Sequence, residues 1–135
     1  MNDLLIGLAG VIAGAAPVVI AVVGETFTER AGVINLSVNG IILLSGMVGF
    51  AVTRVTGSTL AGLLAGALVG AVGAVIVSFS SITLKQSQVA VGFVLTLLFR
   101  DLSYFLGTPL MGESAAIVTS RPFPLLAEIP ILGPL

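Results

Sequence analysis

Long apolar runs alternate with short polar breaks along this chain, and the spacing of the breaks predicts four membrane segments. A spanning helix needs roughly 20 apolar residues, each adding about 1.5 Å across a hydrocarbon layer of about 30 Å. The first run, Leu4 to Gly24, contains no charged residue. Pro17 lies inside it and predicts a kink, because proline removes one helical hydrogen bond. Glu25 to Arg30 then reads as a polar connection.

The second run, Ala31 to Thr53, is uneven. Asn35, Ser37 and Asn39 alternate with apolar residues between Gly32 and Gly40, and only Ile41 to Val52 is cleanly apolar. That stretch is too short to span alone, so the pattern predicts a broken or re-entrant lead-in before the helix proper. Irregular backbone at membrane depth survives only where protein or a water-filled cavity shields it. Arg54 to Ser58 reads as a turn.

The third run, Thr59 to Leu84, is rich in small residues. Gly62, Gly66 and Gly70 recur every fourth position and share one helix face, the small-xxx-small pattern of close helix packing. It turns polar at Ser78 to Ser81, and Lys85 to Gln88 forms the next connection. The fourth run, Val89 to Gly107, is apolar except for Arg100 and Asp101. From Thr108 the character changes: five of the six prolines (109, 122, 124, 130 and 134) fall here. We therefore divide the chain into a transmembrane part, 1–107, and a Pro-rich tail, 108–135, with short amphipathic pieces at the membrane surface. The fold class is all-α, a polytopic transmembrane helix bundle of about four segments with the second one broken.

Composition supports the bilayer as solvent. Charged residues make up 8% of the chain and hydrophobic ones 57%, where a soluble domain carries about a quarter charged residues. Mean hydropathy is +1.23. The opening Met1-Asn2-Asp3 lacks the basic start of a signal peptide, and further apolar runs follow at once. Arg30 and Lys85 fall on one side of a four-span arrangement and Arg54 and Arg121 on the other, so positive charge does not set the orientation. A net charge of −1 gives no attraction to nucleic acid.

With no His and no Cys, the commonest proton shuttle and the thiolate ligands are missing. Neither a Gly-Lys-Ser/Thr phosphate loop nor a Gly-x-Ser-x-Gly elbow occurs. We expect no enzyme, no metal and no cofactor, with any ATP hydrolysis on another chain. The remaining chemistry lies in polar side chains at membrane depth. Asn35, Ser37 and Asn39, with Gln88 and Thr96 as weaker companions, can exchange hydrogen bonds with a polar solute without the desolvation cost of a charge. They can equally bond between helices or satisfy backbone where the helix breaks. Arg100 and Asp101 either mark a function or sit near a helix end, with Arg100 snorkelling and Asp101 solvated.

The run from Gly24 to Gly40 contains Glu29-Arg30-Ala31-Gly32-Val33-Ile34-Asn35-Leu36-Ser37-Val38-Asn39. It resembles the early signature of ABC-importer permeases for nucleosides and simple sugars, within the wider branched-chain amino acid and ribose permease group. Gln88-Val89-Ala90-Val91-Gly92 and Leu97-Leu98-Phe99-Arg100-Asp101 resemble later segments of the same family, in the same order. Ser37 and Asn39 depart from the nucleoside branch, which usually has Gly and Glu there, and Asp101 departs from the Gly of the ribose branch.

The resemblance implies a multi-pass protein of the cell membrane that passes a small polar solute. It also implies an ATPase subunit, a second permease chain and a periplasmic or lipoprotein solute-binding protein as partners. Family members are longer, so it implies an N-terminal half: a truncated frame, a split subunit or a remnant. The rival expectations are a membrane structural or assembly protein, built on the glycine ladder, and a non-functional fragment.

Overall fold

The computed structural model describes residues 2–116; the Pro-rich stretch beyond lies outside them. All regular structure in the described residues is helical: α1 (Asn2–Arg30), α2 (Val38–Thr56), α3 (Thr59–Ser78) continued by a π-helical turn (Phe79–Thr83), α4 (Gln88–Gly107), and a 3₁₀ turn (Thr108–Leu110). Four of these helices are long and apolar enough to cross a bilayer. By contacts the chain divides into two units, one including the first 27 residues and the other opening at Thr28.

In the first unit, α1 runs unbroken through Pro17. The helix also continues through Glu25 to Arg30, where the sequence suggested a connection. Glu and Arg are good helix formers, so polarity there marks the membrane boundary and does not end the helix. The end comes at Gly32, with φ +80°. Its N–H donates to the Glu29 carbonyl and the Val33 N–H to the Thr28 carbonyl, both at 2.9 Å. This is the paired bonding of a Schellman motif, which needs a residue in the left-handed region and so favours glycine.

The second unit holds α2, α3 and α4. α2 reaches Thr56, so the turn before α3 shrinks to Gly57 and Ser58. Gly57 takes φ +67° and its N–H donates to Thr53 O at 2.8 Å. Ser58 and Ser87 open α3 and α4, their hydroxyls accepting from Ala61 N–H and Ala90 N–H. α2 and α3 form an antiparallel hairpin, and α4 lies alongside α2 in the same direction. The core joins one or two residues from each helix: Leu44, Val77, Leu95 and Phe99, with Ile41, Met47, Val69 and Val91 packed around them.

Most other large apolar side chains face outward, among them Leu63, Leu64 and Leu68 on α3 and Phe93, Val94 and Phe105 on α4. An outward apolar shell on long helices with few charges suits lipid contact, not water. The protein is an integral membrane protein.

Glycine sets the α2–α3 spacing. A Cβ at Gly62 would stand 2.6 Å from Gly49 O, one at Gly66 would stand 3.1 Å from Ser45 O, and one at Gly49 would stand 3.1 Å from Gly62 O. Gly70 is looser, at 3.9 Å from Ile41, and the tight contact passes to Gly73, where a Cβ would lie 2.9 Å from Ile41 Cδ1. The ladder therefore shifts from every fourth residue to the third as the helices wind past each other.

Candidate functional site

The α2–α4 contact carries the polar groups. Between Gly32 and Val38 the chain is not helical, and this lead-in runs beside the first turns of α4. There the Ile34 N–H donates to Gln88 Oε1 at 2.9 Å. The Thr96 hydroxyl donates to the Leu36 carbonyl. Farther along, the Ser103 hydroxyl donates to Leu43 O at 3.0 Å. Gln88 and Thr96 thus give backbone groups of the broken segment partners, which they need where water is absent, and Ser103 adds a bond to the helix that follows.

Two glycines let the backbones come this close. A Cβ on Gly92 would stand 3.0 Å from Leu36 N, and one on Gly40 would stand 2.7 Å from both Cα and O of Thr96. Gln88, Gly92 and Thr96 recur every fourth residue, so they form one α4 stripe.

Inside the lead-in, Asn35 Oδ1 accepts from Ser37 N–H at 3.0 Å and from the Ser37 hydroxyl. This is the Asx-type local bonding that competes with helix and holds the chain in a turn. Ser37 is completely buried, 0% exposed, just before α2 begins. Asn35, Ser37, Gln88 and Thr96 are brought together here. Asn39, the second residue of α2, is exposed and stands apart from this bonding.

Arg100 and Asp101 pair with each other, Nε to Oδ1 at 3.0 Å, with side chains 44% and 66% exposed. The three ladder glycines lie on α3, against α2 and away from this site.

Sequence reading missed Ser103. A lone serine in an apolar run gives little signal, but its seven-residue spacing from Thr96 places it on the same helix face. Gly40 and Gly92 were legible as residues of the two motifs, and the structure adds what they touch. At the opposite end of α2, Arg54 pairs with Glu113 at 3.0 Å, tying the chain after α4 to the end of α2. Among the described residues no group of His, Cys, Asp or Glu could hold a metal ion.

The model of a family described as "Branched-chain amino acid transport system / permease component" matches residues 7–129. The chain is 36% identical over 126 residues to a protein of Haloferax volcanii named as a glucose ABC transporter permease, TsgC13, covering 90% of this chain and 38% of that one. It is 25% identical over 130 residues to the guanosine ABC transporter permease NupQ of Bacillus subtilis, covering 88% of this chain and 41% of the relative. With the nucleoside ABC transporter permease NupC of Lactococcus lactis it shares 26% identity over 144 residues, covering 98% and 45%. The chain spans about two-fifths of the length of these curated relatives. No solved structure matches it.

Proposed function

The chain belongs to the branched-chain amino acid transport permease family, and from that premise we propose that it supplies membrane-embedded helices of an ATP-driven importer for an uncharged sugar or nucleoside. The observation that supports this most directly is the broken lead-in at Val33 to Ser37, held against the first turns of α4 by Gln88 and Thr96. Non-helical backbone inside a membrane is tolerated beside a cavity or within protein, and it presents polar groups where a solute can reach them. The relatives are named for glucose, guanosine and nucleosides, all uncharged and rich in hydroxyls. Exposed neutral polar groups such as Asn39 bind such solutes weakly enough to release them, while Asn35, Ser37, Gln88 and Thr96 hold the backbone beside it.

In this reading ATP is hydrolysed on a separate subunit. A second permease chain completes the pathway, and a periplasmic or lipoprotein binding protein delivers the solute. The test is reconstitution with the candidate ATPase and second permease chain, followed by ATP-dependent uptake of labelled glucose and guanosine. Uptake above that of vesicles lacking this chain supports the reading. A folded, co-purified assembly with no uptake of either solute overturns it.

A further inference from the structure

Two α2–α4 hydrogen bonds fix the register of the outer side of that helix pair. Thr96 bonds to Leu36 and Ser103 to Leu43, and both pairs are 60 residues apart in sequence. Those hydroxyls reach back along the helix, and Gly40 itself packs on the Thr96 backbone, so Arg100 lies about one turn beyond Asn39 along the pair. On α4, Arg100 follows Thr96 by four residues and precedes Ser103 by three, so it shares their face. On α2, Asn39 follows Leu36 by three and precedes Leu43 by four. The two residues therefore flank one groove about one turn apart, and both are exposed.

Arg100 is deep. At 1.5 Å per residue it lies about 18 Å along α4 from Gln88, and its level on α2, near Leu44, lies about 15 Å from Arg54. Both ends are marked by charge: Lys85 just before α4, and the Arg54–Glu113 pair at the other end. Helical structure also continues to Leu110, so Arg100 sits near mid-span and not at a helix end. A charge facing lipid there costs several kcal/mol, and an ion pair with more than a third of each side chain open does not remove that cost.

We propose that the outer α2–α4 groove at Asn39, Arg100 and Asp101 faces water inside the membrane and contacts an uncharged, hydroxyl-rich solute. This rests on the importer reading and narrows it. Gln88 and Thr96 spend hydrogen bonds on backbone, and Asn35 and Ser37 bond each other, so these four shape the groove, whereas Asn39 and the guanidinium present theirs outward. Asp101 is bonded to the guanidinium Nε. The pair is therefore neutral in sum, which suits a neutral solute better than an ion. The amide of Asn39 adds both a donor and an acceptor.

The chain has no cysteine, so a single introduced thiol reports its own surroundings. Asn39→Cys and, as a lipid-facing control, Leu68→Cys are placed in the full chain, assembled in membranes with its partner chains. Each is treated with a charged, membrane-impermeant methanethiosulfonate. Only a hydrated thiol ionises readily, so Asn39→Cys is expected to react at least about tenfold faster than Leu68→Cys.

Millimolar glucose or guanosine should slow the Asn39→Cys reaction several-fold. Equal slow rates at both positions overturn the water-facing groove. A fast reaction that neither solute slows overturns the solute contact. Labelling needs no transport, so a groove that reacts and is protected in an assembly without uptake sinks the importer reading alone. Uptake with an unreactive Asn39→Cys sinks only this inference. Both residues are exposed, so neither substitution disturbs the core.

Discussion

α2 meets its two neighbours by opposite means. Toward α3 it offers backbone to backbone through Gly49, Gly62 and Gly66, with almost no polar side chain crossing the contact. Toward α4 it offers main-chain groups that Gln88, Thr96 and Ser103 satisfy. Lipid is as apolar as a leucine side chain, so burial gives little drive for helices to associate in a membrane. The first contact relies on shape alone, and gains dispersion energy by bringing many atoms close. The second relies on direction, because a hydrogen bond fixes which residue stands opposite which. One contact sets distance and the other sets register.

The sharpest way to break this contrast is steric. Gly62→Val drives a side chain into Gly49 O and Thr53, and we predict a loss of about 3 kcal/mol in reversible unfolding from mixed micelles. Gly46 has open space around its Cβ position, so Gly46→Ala should be neutral or stabilising by less than about 1 kcal/mol. If the two behave alike, the α2–α3 contact is not set by glycine. Gly40→Ala comes next. It presses on Thr96 backbone, which cannot swing away, and should cost about 2 kcal/mol in the same assay.

The polar contact should give smaller losses. Gln88→Leu leaves the Ile34 N–H without its acceptor and should cost about 1–2 kcal/mol. Thr96→Val should cost about 1 kcal/mol. Both should also speed amide exchange at Ile34 or loosen the lead-in, effects that Gly62→Val need not share. Should Thr96→Val prove as damaging as Gly62→Val, the division into distance and register fails. The smallest effect belongs to the partly exposed ion pair. Arg54→Gln should cost under about 0.5 kcal/mol, and the loss should vanish in high salt.

The apolar runs made the four spans legible because a bilayer demands length and hydrophobicity and little else. The break before α2 was legible too, since Asn35 and Ser37 two residues apart can bond locally and oppose helix. Helix ends were harder to read. The polarity of Glu25 to Arg30 suggests a connection, yet the helix stops only where Gly32 permits a left-handed turn. The four-residue glycine ladder was visible in sequence, but its drift to Gly73 depends on how two helices wind around each other. What Gln88, Thr96 and Asn39 do was not legible. Their types allow bonding to solute or to backbone, and only the packing of α4 along the lead-in and α2 separates the bonded ones from the exposed one. Ser103 had no signal until that packing was known.

The π turn at Phe79–Thr83 lies in the path from α3 to α4. A π turn carries one residue more than an α turn, and here it is closed by Lys85 in the left-handed region, with the Gln86 N–H reaching back to Ser80 O. Deleting one residue there would return the segment to α-helical winding and shorten the reach from α3 to the connection at 84–87. The bond from Ile34 to Gln88, at the first residue of α4, is the contact expected to feel that first. Faster amide exchange at Ile34 in such a deletion would reveal the strain. The extra residue is thus slack in the path from one helix to the next.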